Sequence, residues 1–77
     1  MNQYVKEIVR DLFNNPHINT IMTRKNVYYR DVIKDRDVVR ICVMDRYLFE
    51  RLGKTQFYAD KVLARMEFDK WLELIKD

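Results

Sequence analysis

The sequence is short of the residues that form flexible loops, covalent cross-links and metal sites. Its 77 residues include one glycine, one proline, one cysteine and one histidine. With so little Gly and Pro, long flexible loops are not expected. The single cysteine excludes an internal disulfide and is typical of a reducing compartment. Because the lone His and the lone Cys lie far apart in the sequence, neither a metal site nor a Cys–His nucleophile pair is indicated.

Long apolar runs and catalytic signatures are also missing. No apolar run approaches the roughly 18 residues of a membrane span. Four charged residues interrupt the N-terminal segment MNQYVKEIVRDLF, which therefore lacks the layout of a signal peptide. We expect a cytoplasmic protein with no membrane partner. There is no Gly-rich phosphate loop, no set of metal-spaced ligands and no Ser/His/Asp arrangement, so neither enzymatic activity nor a cofactor is expected.

What the sequence does contain is enough apolar material for a core and an uneven distribution of charge. The hydrophobic fraction of 48% and the aromatic fraction of 13% predict one small packed domain over residues 1–77. The net charge is +3, but basic residues concentrate in segments 22–34 and 46–65, whereas the tail from residue 66 is acidic. This distribution is a mild sign of a polyanionic partner. Taken alone, however, the charge distribution is better explained by an ordinary solvated surface of mixed charge than by a polyanionic partner.

Two amphipathic helices are predicted at the ends of the chain. Residues 3–13 form a broad apolar stripe at helical spacing, and Asn14-Asn15-Pro16 ends it because proline cannot continue a helix. Residues 67–76 predict a closing helix whose apolar residues recur at i, i+3, i+4 and i+7. They are Phe68, Trp71, Leu72 and Ile75.

The central segment, residues 35–54, admits two interpretations. As one helix it would bury Asp45 in its apolar face, which is costly. As two helices broken at Asp45, the carboxylate caps the second helix and Gly53 ends it, which gives a helix-turn-helix. The alternative is a β-hairpin of residues 26–33 and 38–44 around residues 34–37, because both segments are rich in β-branched and aromatic residues.

After Gly53 the apolar pattern changes to a period close to two. It predicts a strand over residues 55–59, a turn at Asp60-Lys61 and a strand over residues 62–66. If the second helix of the helix-turn-helix is the one that reads DNA, the β-hairpin directly after it is the wing of a winged helix-turn-helix. The fold class expected is therefore α+β, mainly α, namely a winged helix-turn-helix with an extra N-terminal amphipathic helix. The alternative is an α+β domain in which a β-hairpin lies between helices.

Two segments resemble the excisionase and MerR-type proteins. They are RDVVRICVMDRYLFERL (36–52), which resembles the helix-turn-helix of that family, and KVLARMEFDKWLELI (61–75), which resembles its wing strand and closing helix. In the second segment the resemblance is carried by Arg65, Phe68, Asp69, Trp71 and Leu72. It implies a small DNA-binding regulator or recombination directionality factor of a phage or mobile element. Such a protein binds and bends duplex DNA beside a recombinase and has no catalytic residues of its own.

The candidate DNA-binding residues lie on the polar side of the second helix, after it, and at the wing tip. They are Arg46, Tyr47, Glu50, Arg51, Lys54, Thr55 and Lys61. Arg46 and Arg51 suit base or phosphate contact, since Arg binds guanine through two hydrogen bonds. Lys54, Thr55 and Lys61 would contact phosphate. An ordinary solvated helix face with an Arg46–Glu50 pair explains the same pattern equally well.

A domain of this size makes few contacts, so specific binding requires repeated sites, a homodimer or cooperative assembly on DNA. A second hypothesis is a protein-binding module, such as a phage-type inhibitor or adaptor of a host protein, whose basic segments face an acidic partner. Tyr28 and Tyr29, beside Arg24, Lys25 and Arg30, could form an aromatic and basic nucleic-acid surface. The interpretation of the two tyrosines as strand residues of the core is favoured over a nucleic-acid surface.

Overall fold

The structure is a computed structural model that describes residues 1–52 and 61–76. The described residues form three α-helices and four strands, in the order α1 (Gln3–Asn14), β1 (Thr20–Met22), β2 (Asn26–Ile33), β3 (Val38–Asp45), α2 (Arg46–Leu52), β4 (Lys61–Glu67) and α3 (Phe68–Ile75). A short 3-10 turn, Lys34–Arg36, joins β2 to β3. Within the described ranges, no helix is long and apolar enough to cross a membrane.

The four strands form one antiparallel sheet in the order β1-β2-β3-β4. Its centre is the β2–β3 hairpin, which pairs from Ile33 opposite Val38 to Asn26 opposite Asp45. The prediction of a mainly α winged helix-turn-helix is therefore wrong, because a strand stands where its first helix was expected. The alternative β-hairpin around residues 34–37 is confirmed.

The burial of β3 explains why helical spacing was misleading in this segment. Ile41 and Cys42 are neighbours in the chain, face opposite sides of the sheet, and are both fully buried. A strand that is buried on both faces carries a nearly continuous apolar run, which periodicity cannot distinguish from a buried helix. The β-branched residues of this stretch, Val38, Val39 and Val43 among them, are the signal that favours a strand.

Several other predictions are confirmed. The helix predicted over residues 3–13 is α1, the strand over 62–66 is the central part of β4, and the helix over 67–76 is α3. Asp45 caps the helix that follows it, since its Oδ1 accepts a hydrogen bond from the Leu48 N–H at 3.1 Å. The strand predicted over residues 55–59, Asp60 of the predicted turn, and the helix end at Gly53 lie outside the described residues.

The sheet has a separate apolar core on each face. Helices α1 and α3 cover one face, and the first core lies between them and the sheet; its buried residues are Ile8, Val9, Leu12, Phe13, Tyr28, Val39, Ile41 and Trp71. Helix α2 packs on the other face through Phe49, and the second core there contains Val27, Tyr29, Cys42, Met44 and Phe49. This arrangement places the exposed side of α2 away from both terminal helices.

Arg30 and Trp71 join α1 to the rest of the molecule. The Arg30 guanidinium donates hydrogen bonds to four oxygens at and beyond the C-terminal end of α1: Leu12 O at 2.6 Å, Asn15 O at 3.0 Å, Pro16 O at 3.1 Å and Asn19 Oδ1 at 2.7 Å. Its carbon Cζ lies 5.0 Å from the centre of the Trp71 ring. The Trp71 Nε1–H donates to Phe13 O at 2.9 Å. A cation thus satisfies carbonyls that a helix C-terminus leaves unpaired.

The turn between β2 and β3 depends on a left-handed residue, Asp37, with φ 52° and ψ 43°. A β-branched side chain is strained in this region, whereas Gly enters it freely. Replacing Asp37 by Val is expected to lower the free energy of unfolding by about 1–2 kcal/mol, and replacing it by Gly is not. Urea unfolding measures both variants, with Asp35→Val in the same turn as the control. Equal losses for Val and Gly at position 37 would show that the Asp side chain matters, and not the backbone angle.

Candidate nucleic-acid interface

The register of the central hairpin brings the turn between β1 and β2 next to the start of α2. Asn26 pairs with Asp45, so the residues just outside this pair, Lys25 and Arg46, meet at the end of the sheet. The Arg46 N–H donates to Lys25 O at 2.9 Å. Two basic segments separated by about twenty residues in the sequence are therefore neighbours in space.

Arg46 is held in place by both segments. Its Nε donates to Glu50 Oε1 at 3.0 Å, and its Nη1 donates to Thr23 O at 3.2 Å. The expected i, i+4 pair of Arg46 and Glu50 is therefore present. Because the Glu50 carboxylate is paired with Arg46, it repels an approaching polyanion less than an unpaired carboxylate would. The side chain of Arg46 is 40% exposed, and its ion pair with Glu50 offsets much of its positive charge.

The outward side of α2 carries Tyr47 and Arg51, one turn apart. Tyr47 is 68% exposed, the highest value among the large apolar and aromatic side chains of the described residues. The Arg51 guanidinium carbon lies 5.8 Å from the centre of the Tyr47 ring, which is within the range of a cation–π interaction. An aromatic face and a cation thus lie side by side on the surface.

Between the turn and the helix lies an open pocket of about 510 Å³. It is lined by Arg24, Lys25, Asp45, Arg46, Tyr47 and Glu50. Of its two carboxylates, Asp45 caps α2 and Glu50 pairs with Arg46. Within residues 1–52 and 61–76, the side chains of Arg24 and Lys25 form no ion pair. Of the charged groups that line the pocket, these two are therefore the ones available to pair with an anionic ligand.

Of the remaining predicted site residues, the structure describes only Lys61, and it does not bring Lys61 into this group. Lys54 and Thr55 lie outside the described residues. Lys61 is the first residue of β4 and pairs with Val43, whose side chain packs into the first core. It therefore lies on the side of the sheet opposite α2. Tyr28 and Tyr29 are 5% and 4% exposed, so their interpretation as core residues is confirmed.

Arg24 and Lys25 were not among the site residues predicted from the sequence. The sequence does show them as part of a basic segment, beside two tyrosines that turn out to be buried. The signal that would have found them is the hairpin register, because it places Lys25 opposite Arg46. Sequence proximity pointed instead to Tyr28 and Tyr29.

A second polar group lies on the α2 side of the sheet, around the Asp31–Arg40 ion pair at 2.6 Å. Next to it on the same face, burial raises the pKa of Tyr29 to about 12 and also raises the pKa of the Cys42 thiol. Both side chains are therefore neutral at pH 7. Cys42 is fully buried, which confirms its interpretation as a small core residue. Within the described ranges, no group of His, Cys, Asp and Glu could hold a metal ion.

The described residues thus form a four-stranded antiparallel sheet with two helices on one face and one on the other. The candidate site is a basic, aromatic surface formed by α2 and the turn between β1 and β2. Comparison of the chain with protein-family models, with curated proteins and with solved structures finds no match.

Proposed function

We propose that the protein is a small DNA-binding regulator that contacts DNA through the α2 surface, defined as Arg24, Lys25, Arg46, Tyr47 and Arg51. The observation that carries the proposal is the meeting of the two basic segments at the pocket, where Arg46 bonds to Thr23 O and Lys25 O. Neither segment alone concentrates charge strongly. Together they place Arg24, Lys25 and Arg51, and the Arg46–Glu50 ion pair, beside one exposed aromatic ring.

The local charge balance favours a polyanion. The two carboxylates among these side chains are engaged in capping α2 and in the pair with Arg46. The acids of the tail, such as Asp69 and Glu73, belong to α3 on the other face of the sheet. A DNA backbone approaching the α2 surface would meet cations while the acidic helix stays on the far side. Phosphate contacts of this kind supply most of the affinity of non-specific DNA binding.

The proposal differs from the helix-turn-helix interpretation in how DNA is approached. Helix α2 has seven residues and directly follows a strand. It therefore has no preceding helix of the kind that, in a helix-turn-helix, crosses the DNA backbone and positions the second helix in the groove. A surface of five side chains is also small for specific binding. A homodimer or cooperative assembly on DNA would add contacts, and a recombinase or another DNA-bound protein could do the same. Regulation of transcription or of recombination is the role proposed.

A salt titration with mixed-sequence duplex DNA tests this function. If about three phosphates are neutralised, log K is expected to fall linearly with log salt, with a slope of about −3 between about 50 and 200 mM. Fluorescence anisotropy of labelled DNA measures it, and heparin serves as a competing polyanion. Absence of binding to both duplex and single-stranded DNA at low salt would contradict the proposal.

A second candidate function is protein binding, and the exposed apolar residues of α3 favour it. Leu72 and Leu74 are 43% and 47% exposed and lie on opposite flanks of the buried Trp71. An adaptor or inhibitor that uses either of these exposed side chains would bind its partner through apolar area. Its affinity would change little with salt, in contrast to the steep dependence expected for DNA.

A further inference from the structure

The exposed ring of Tyr47 is not explained by contact with phosphates alone. It projects from a helix whose opposite side is anchored in the second core by Phe49, so its backbone position is fixed. The Arg51 guanidinium lies 5.8 Å from the ring centre, and the pocket adjoins the same ring. A rigid aromatic ring beside a cation and a polar pocket is an arrangement suited to stacking on a nucleobase.

The paired bases of duplex DNA cannot use such a ring. Their faces are covered by neighbouring base pairs, and a protein in a groove meets only their edges. A base in a single strand, a gap or an extruded position presents its face and can stack on an aromatic side chain. The ring of Tyr47 therefore distinguishes unpaired from paired bases, whereas the cations do not.

The pocket has room for a nucleotide and presents positive charge to its phosphate. Its volume of about 510 Å³ falls in the range of small-molecule sites, which runs from about 300 to 1,000 Å³. Tyr47 lines it from α2, and Arg24 and Lys25 line it from the turn between β1 and β2. The hydrogen bonds of Arg46 to Glu50 and to Thr23 O join the two sides. The pocket is thus preformed, which reduces the entropy lost on binding.

We propose that the α2 surface binds unpaired nucleotides of DNA, with one base stacked on Tyr47 and the adjoining phosphate between Arg24 and Lys25. This inference rests on the proposed DNA binding and specifies its target. The protein then prefers single-stranded or gapped DNA over a perfect duplex. The preference comes from stacking and requires no particular base, because every base has a π face.

The test compares wild type, Tyr47→Leu and Tyr47→Phe on three labelled probes, in which oligo-dT and the duplex are both about 12 nucleotides long. The probes are oligo-dT, a blunt mixed-sequence duplex, and the same duplex with a short single-stranded overhang. Wild type is expected to bind oligo-dT and the overhang probe more tightly than the blunt duplex. Tyr47→Leu keeps an apolar side chain without a π face, and it is expected to weaken oligo-dT binding by about tenfold. Tyr47→Phe keeps the ring and is expected to bind as wild type does.

The outcomes separate this inference from the function on which it rests. If wild type binds the duplex as tightly as oligo-dT, or if Tyr47→Leu weakens both equally, the stacking proposal is overturned while DNA binding stands. If no probe binds, both fail. Tyr47 is highly exposed, so neither substitution should disturb the fold, and circular dichroism of each variant verifies this. Equal losses for Leu and Phe would also overturn the proposal, because they would show that the hydroxyl and not the ring makes the contact.

Discussion

Replacing Arg24 and Lys25 together by glutamate is expected to weaken DNA binding by about 100-fold at low salt. The two residues supply the positive charge of the pocket that other side chains do not already engage. Their reversal removes two phosphate contacts and adds two repulsions. The salt slope should become shallower by about two units, since each lost phosphate contact removes about one. Fluorescence anisotropy at several salt concentrations measures both quantities for duplex and single-stranded DNA.

A matched control exists at the other end of the β2–β3 hairpin. Lys34 and Arg36 are exposed in the turn after β2, roughly 25 Å away at the usual rise per strand residue. Their replacement by glutamate changes the net charge by the same four units from +3. We expect this variant to lose much less affinity than Arg24→Glu/Lys25→Glu. Equal losses would mean that only the overall charge matters, and the α2 surface would lose its support.

Replacing Arg30 by alanine is expected to lower the free energy of unfolding by about 3 kcal/mol, a large part of the stability of a small domain. The substitution removes four hydrogen bonds, and three of their acceptors are carbonyls in or just after the last turn of α1. It also removes the cation from the Trp71 ring. Burial lowers the pKa of Arg30, because its guanidinium is partly removed from water. Urea unfolding followed by circular dichroism measures the change.

Further variants identify the cause of this loss. Arg30→Lys keeps the charge but not the forked geometry, and it should recover only part of the stability. Arg10→Ala, at an exposed position of α1, should change stability by no more than about 0.5 kcal/mol. Combining Arg30→Ala with Trp71→Phe should give a loss that differs from the sum of the single losses, because the two side chains are in contact. Strict additivity would argue against the stacking of Arg30 on Trp71.

The terminal elements could be predicted from the sequence because each packs on one side only. In α1 the alternation of buried Ile8, Val9, Leu12 and Phe13 with charged residues leaves a clear helical period. In α3, Phe68, Trp71 and Ile75 repeat the same pattern. The strand β3 could not be recognised by period, since Ile41 and Cys42 are buried on opposite faces. A pattern that has an apolar residue on both faces carries no information about which face is inside.

Three of the five residues of the α2 surface could be predicted from the sequence, and the unrecognised strand explains why the other two were missed. Arg46, Tyr47 and Arg51 follow the capping residue Asp45, and a capped helix with a polar side was the correct interpretation of that stretch. Arg24 and Lys25 join them only through the pairing of β2 with β3. Once a hairpin around residues 34–37 is accepted, counting outward from Ile33 opposite Val38 reaches Lys25 opposite Arg46. The error about one strand therefore concealed two of the six residues that line the pocket.

The hydrogen bond from Trp71 to Phe13 O also has a consequence for how the molecule acquires its structure. It connects residues 58 positions apart, whereas the β2–β3 hairpin closes over a four-residue turn. Local hairpins form within microseconds, but long-range contacts must first overcome the entropy of closing a large loop. During synthesis the hairpin can therefore assemble early and pack against α1, while the contacts between α1 and α3 form last. The first core is completed only after residue 71 has left the ribosome.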